Sequence, residues 1–229
     1  MRTEPVLLVH GFASSFERNW REPGWVDLLT EAGRDVIPLD LLGHGEADKP
    51  HDPSAYVDLD ASVEAALPPE GPVDAIGFSL GAQLLLSVAS RQPARFGRLV
   101  VGGVGANLFR REDVEPAARA VEAGEAGPEE PSVARAFAQF ATGPGNDRAA
   151  LAACLRGRGT RVTAADLTQV RCPVLVVLGD RDFAGPADPL IDALPDATLV
   201  TLRGADHFGT PKDFRFLDAA LAFLDAVPA

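Results

Sequence analysis

The sequence predicts an α/β fold: a doubly wound, mostly parallel sheet of about six strands with a small helical cap. Three observations carry this. Short apolar runs alternate with helix-period segments along most of the chain, the pattern of strands joined by crossover helices. Runs such as Val174-Leu175-Val176-Val177-Leu178 are apolar at every position, as strands covered by helices on both faces must be. One stretch, 107–170, breaks the alternation with Ala/Arg/Glu-rich helical pattern and no strand-like run.

Residues 5–9 read as the first strand and 24–32 as a helix with Val26, Leu28 and Leu29 on its apolar side. The next strand, 35–39, is expected at a sheet edge, with 5–9 inside so that its apolar residues are buried from both sides. A Gly/Pro/Asp-rich loop leads to a helix over roughly 54–67. Strands 73–76 and 99–102 flank a helix at 82–90. Strands 173–178 and 197–202 follow, with helices near 189–193 and 213–226. Only about four residues precede the first strand, so no antiparallel hairpin is expected ahead of it. Within 107–170 the run Gly124-Glu125-Ala126-Gly127-Pro128-Glu129-Glu130-Pro131 suits neither helix nor strand, while Phe137, Phe140, Leu151 and Leu155 give the helices around it apolar sides. The expected organisation is a core of 1–106 and 171–229 with a helical cap, 107–170, inserted in it.

A chain of 229 residues suffices for one well-buried domain, and its 46% hydrophobic and 24% charged content are those of a globular protein. The formal net charge of −12, unbroken by any basic cluster longer than Arg110-Arg111, argues against nucleic acid and anionic membrane as partners. Arg110 and Arg111 read as solvated charge rather than as an attractor at a site mouth. No apolar stretch approaches the ~20 residues that span a bilayer. The start, Met1-Arg2-Thr3-Glu4, does not read as a signal peptide, and Cys154 and Cys172 fit no metal or redox spacing. Buried thiols in a reducing, cytoplasmic setting are the expectation.

The chemistry centres on Gly77-Phe78-Ser79-Leu80-Gly81, between the apolar run 73–76 and a helical pattern through Leu84-Leu85-Leu86. A strand entering a helix through G-x-S-x-G holds the serine at the apex of a sharp, strained turn with its hydroxyl exposed. Such a hydroxyl needs a base, a group to orient the base, and donors for an oxyanion. On a parallel sheet these come from loops at the carboxyl ends of strands. Of the four histidines, His10 and His44 lie upstream in glycine-containing loops, and His51 sits in a Pro/Asp-rich turn as a surface residue. His207, five residues beyond the last strand, is the candidate base. The loop after 173–178 reads Gly179-Asp180-Arg181-Asp182, and Asp182 is preferred to Asp180 as the acid. The loop after 99–102 holds no carboxylate. Trp20 and Trp25 are candidates either to line an entrance or to pack beneath the cap.

The order Ser79, Asp182, His207, together with His10-Gly11-Phe12, Asp40-Leu41-Leu42-Gly43-His44-Gly45 and Asp206-His207, resembles the α/β-hydrolase superfamily over nearly the whole chain. The resemblance implies that the N–H groups of Phe12 and Leu80 form an oxyanion hole. Leu80 opens a helix whose amino-terminal end favours negative charge. It implies a serine hydrolase acting on a small-molecule carboxylic ester or thioester, with no metal or organic cofactor. Carbon–carbon bond cleavage or enol-lactone hydrolysis by the same triad remains open, as does a non-catalytic ligand receptor on this scaffold. Two departures stand out: the absent hairpin, and Glu46-Ala47 where a serine usually follows the Gly-His-Gly loop. The serine nucleophile limits the resemblance to aspartate-using dehalogenases and epoxide hydrolases to the fold.

Overall fold

In the computed structural model, which describes residues 3–110, 113–157, 159 and 162–228, six strands form one sheet. They are β1 (Val6–Val9), β2 (Val36–Leu39), β3 (Val73–Phe78), β4 (Phe96–Gly102), β5 (Val174–Gly179) and β6 (Ala197–Leu202). Their order is β2-β1-β3-β4-β5-β6, and every pairing is parallel. Among the described residues no strand precedes β1, and β2 occupies an edge as expected. The edge suits Pro38, which has no N–H to give a second neighbour.

The described helices are α1 (Trp25–Glu31), α2 (Asp60–Ala66), α3 (Leu80–Arg91), α4 (Glu115–Ala123), α5 (Ser132–Ala141), α6 (Arg148–Gly157), α7 (Ala164–Leu167), α8 (Asp188–Ala193) and α9 (Phe214–Phe223). Alternation at period two sorts the strand residues into two apolar layers. Val6, Leu8, Ile76, Val100 and Leu175 pack under α1 and α9, against Trp25, Leu29, Phe216 and Leu221. Leu7, Val9, Ala75, Leu99, Val101 and Val176 face the other way, toward Val63 of α2, Leu85 of α3 and Leu190 of α8. Both layers are needed because β1, β3 and β5 are buried throughout, each Val or Leu contributing roughly 1.5–3 kcal/mol by leaving water.

Several local expectations shift. The helix expected over 54–67 divides into a one-turn Pro53–Tyr56 segment, started by the Asp52 side chain accepting the Ser54 N–H, and α2. The buried Tyr56 hydroxyl donates to the Pro50 carbonyl and fixes that turn. Trp20 and Trp25 neither line an entrance nor lie beneath the inserted helices. Both are fully buried in the α1/α9 layer, edge to face at 5.2 Å, with Trp25 against Phe216. Cys154 and Cys172 are buried and not joined in a disulfide. Among the described residues, no helix is long and apolar enough to cross a membrane.

Between β4 and β5, α4 packs on α5 and α6, with Ala118, Val121, Leu151 and Leu155 forming a small apolar cluster that also takes in Ala13. The chain then returns to the sheet: α7 packs on α3 and α8, placing Leu167 and Val170 in the main core. At the opposite end of the sheet Asp74, fully buried in β3, receives the Arg34 guanidinium at 2.5 Å. The same guanidinium donates to the carbonyls of Glu4 and Leu224, tying the start of β1 to the end of the chain after α9.

Candidate active site

Ser79 sits between β3 and α3 with φ 50° and ψ −110°, in the left-handed half of backbone space that a residue with a side chain enters only under constraint. The constraint is visible. Its N–H donates to the Gly102 carbonyl at 2.8 Å, and its carbonyl accepts the Gln83 N–H at 3.0 Å. The two flanking glycines are required by close approach. A side chain at Gly81 would collide with the Val9 and His10 carbonyls, and one at Gly77 would lie 2.7 Å from the Ala82 nitrogen. The turn therefore brings the first turn of α3 hard against the end of β1.

The loop after β6 delivers His207 to the serine. Asp206 shapes it, its side chain accepting the Gly209 N–H and its carbonyl the Thr210 hydroxyl. The buried His207 ring places Nε2 3.0 Å from Ser79 Oγ. Its Nδ1 lies 2.9 and 3.0 Å from the two oxygens of Asp182, whose side chain is fully buried after β5. Asp182 Oδ1 also accepts the Ala184 N–H at 2.8 Å, which fixes the carboxylate plane. With Nδ1–H donated to the carboxylate, Nε2 is left as the acceptor for the serine hydroxyl. Asp180 is exposed and points elsewhere, accepting the Gly204 N–H at 2.7 Å.

The loop after β1 carries Phe12 beside Ser79 on a cavity of about 500 Å³. Three anchors hold the loop: Gly11 N–H donates to Asn19 Oδ1, Phe16 N–H to Asp40 Oδ1, and the Asn146 amide to the Ala13 carbonyl. Ala13 is itself held at φ 55°. His10 links this loop to the next: its Nδ1 bonds the Gly11 carbonyl and its Nε2 accepts the Leu41 N–H. Burial lowers the His10 pKa, in keeping with a neutral ring. Burial, helped by the neighbouring His10, pushes His44 down to about 3. Backbone groups bond the loop where Glu46-Ala47 departs from the usual serine: Glu46 N–H donates to Asp40 Oδ2 and Ala47 N–H to the His44 carbonyl. Leu80, as the first residue of α3, has no intrahelical acceptor for its N–H.

Half of the chain's twelve phenylalanines surround these groups: Phe12, Phe78, Phe137, Phe140, Phe183 and Phe208. Phe183 and Phe78 pack on the His207 ring with centroids at 4.3 and 5.0 Å. Phe140 of α5 stacks on Phe208 at 4.4 Å, and Phe137 meets Phe12 at 5.3 Å. Sequence reasoning missed this ring, although a signal existed: Ser79, Asp182 and His207 each have a phenylalanine as an immediate neighbour. Arg110 is not a free charge at the mouth. It donates to the Phe183 and Gly185 carbonyls and braces the Asp182 loop, while Arg111 lies outside the described residues. Among the described residues no group of three or more His, Cys, Asp or Glu could hold a metal ion.

Residues 6–226 match the model of the alpha/beta hydrolase family. The chain belongs to that family. No curated protein sequence matches this alpha/beta hydrolase significantly. Solved structures share its fold at low identity. A hydrolase from Pseudomonas aeruginosa PA01 is 22% identical with a TM-score of 0.70, over 96% of this chain and 90% of its own. A thermophilic esterase from Thermogutta terrifontis is 23% identical with a TM-score of 0.71, over 99% and 91%. The enol-lactonase from Burkholderia xenovorans LB400 is 19% identical with a TM-score of 0.70, over 98% and 92%. One scaffold thus carries differently named activities, and the choice among them has to come from the site.

Proposed function

We propose that this alpha/beta hydrolase cleaves a carboxylic ester or thioester of a small molecule through an acyl-enzyme on Ser79. The observation that supports it is the continuous hydrogen-bonded chain Ser79–His207–Asp182 opening onto a phenylalanine-lined cavity. His207 Nε2 takes the serine proton as Oγ attacks the substrate carbonyl. The Phe12 and Leu80 N–H groups receive the negative charge on the carbonyl oxygen, Leu80 with the helix end behind it. Asp182 holds the Nδ1–H tautomer and offsets the imidazolium charge. His207 then returns the proton to the departing alcohol or thiol, and a water activated by the same ring releases the acid. Every group in this route is a side chain or backbone amide of the chain itself. Within segment 107–170, helices α4–α6 serve as the cap, with Phe137 and Phe140 of α5 completing the cavity wall, whereas α7 belongs to the core. A drier site strengthens the oxyanion contacts.

The test is turnover of p-nitrophenyl esters and acyl thioesters of graded chain length, with an enol-lactone and a vinylogous diketone alongside, by wild type and Ser79→Ala. The proposal expects ester or thioester cleavage that Ser79→Ala abolishes. Cleavage confined to the lactone or the diketone would move the reaction class. Binding without turnover of any member would mark a receptor.

A further inference from the structure

Among the described arginines, Arg18 alone is half-buried with a guanidinium that has no hydrogen-bond or ion-pair partner. Its neighbour Arg21 pairs with Glu17 at 3.1 Å and lies over the Phe16 ring. Arg34, Arg91, Arg98, Arg156 and Arg215 all have carboxylate partners. Arg119, Arg181 and Arg203, which have none, are exposed to water. Arg18 instead lines the cavity that holds Ser79, and its guanidinium lies over Gly143, where a Cβ would come within 2.7 Å of both terminal nitrogens. Lys212 stands on the same rim, exposed, as does one acid, Glu22, which is beyond ion-pair distance of Arg18. Partial burial without a partner costs a cation part of its hydration and leaves its planar donor fork unsatisfied. The chain as a whole, at −12, repels anions, so this local cation is set against the general field.

We infer that Arg18 is a specificity-determining residue and that the substrate is an ester or thioester bearing a carboxylate, with an apolar body on the phenylalanine wall and the carboxylate on Arg18. This rests on the ester-hydrolase reading above. A single guanidinium matches a carboxylate through two parallel N–H···O bonds. Lys212 adds a mobile positive charge at the mouth, and Glu22 opposes it.

The experiment compares charged and neutral esters in two arms. The acyl arm sets p-nitrophenyl hydrogen glutarate against p-nitrophenyl valerate. The leaving-group arm sets para-carboxyphenyl acetate against para-carbamoylphenyl acetate. The readout is the charged-to-neutral ratio of kcat/KM in wild type, Arg18→Gln and Arg18→Lys, so intrinsic reactivity cancels. In one arm Arg18→Gln lowers the ratio about ten- to hundredfold, mainly through KM of the charged ester. Arg18→Lys restores part of it, and Glu22→Gln raises it. The arm that responds tells which side of the ester carries the acid. An equal loss on charged and neutral esters, or an unchanged ratio in both arms, overturns the inference and leaves the hydrolase reading intact. Absence of ester turnover counts against the hydrolase reading instead. In that event calorimetry on Ser79→Ala decides: hydrocinnamate binds more tightly than hydrocinnamamide, and Arg18→Gln removes the difference. Equal binding of acid and amide overturns the inference.

Discussion

Replacing Asp182 by asparagine changes one atom and leaves the volume of the side chain intact. The consequence follows from two bonds. Oδ1 accepts the Ala184 N–H at 2.8 Å, so the amide oxygen of asparagine takes that place and the NH₂ falls where Oδ2 lies 3.0 Å from His207 Nδ1. An N–H group then lies against the Nδ1–H beside the remaining oxygen at 2.9 Å, a repulsion relieved when the imidazole moves its proton to Nε2, the atom 3.0 Å from Ser79 Oγ. In that tautomer the ring cannot accept the serine proton, and the imidazolium also loses its buried counter-charge. The expected loss in kcat is about 10⁴, or roughly 5.4 kcal/mol at 1.36 kcal/mol per decade. Folding should change little, because the Ala184 bond survives. Asp180→Asn is the control, since an amide oxygen there still accepts the Gly204 N–H. Steady-state hydrolysis of an activated ester, with melting curves for all three proteins, provides the comparison. Equal losses at the two positions, or a larger one at Asp180, would refute the assignment of the acid.

Asp74→Leu should cost about 3–5 kcal/mol by leaving Arg34 buried and unpaired. At about 2–4 °C per kcal/mol for a domain of this size, the melting temperature falls by roughly 6–20 °C, and adding Arg34→Met recovers part of it. Because His44 is held near 3 in the folded chain against an ordinary 6.5, the unfolded chain binds the extra proton between those values. Stability is therefore full above about pH 6.5 and falls as pH drops toward 3, by up to ~1.4 kcal/mol per unit. Urea midpoints between pH 7 and 5 should show this slope in wild type and a shallower one in His44→Gln; parallel slopes would speak against it. Asn146→Ala frees the Ala13 carbonyl and loosens the loop carrying Phe12, lowering kcat about two- to tenfold with KM and melting temperature little changed.

The sheet was legible because each strand announces itself locally. Short, β-branched, fully apolar runs such as Val174–Gly179 suit interior strands, and Pro38 with its part-exposed neighbours fits an edge. Ser79, Asp182 and His207 were legible as candidates through strand ends and glycine spacing, and the structure places His207 within hydrogen-bond distance of both Ser79 and Asp182. What local pattern could not show was pairing across long separations. Asp74 stands as one polar residue within the apolar run 73–76, and its partner Arg34 lies 40 positions away, in the loop before β2. The bonds from His10 to Leu41 and from Asn146 to Ala13 are equally remote in sequence. Trp20 and Trp25 follow the Phe12 loop closely in sequence, yet the turn and α1 that carry them face the α9 layer, where Trp25 packs onto Phe216. The start of α2 was missed because the Asp52 cap and the Tyr56 hydroxyl close a separate turn first.

The account turns on a covalent bond to Ser79 Oγ. Intact-protein mass spectrometry of the enzyme quenched in acid during turnover of an activated ester tests it directly, with peptide mapping to locate the modification. The account predicts an added mass equal to the acyl group on the peptide containing Ser79, its accumulation increased in a variant slowed at deacylation and its absence in Ser79→Ala. Undiminished ester turnover by Ser79→Ala, or an acyl group mapped to another residue, would contradict it.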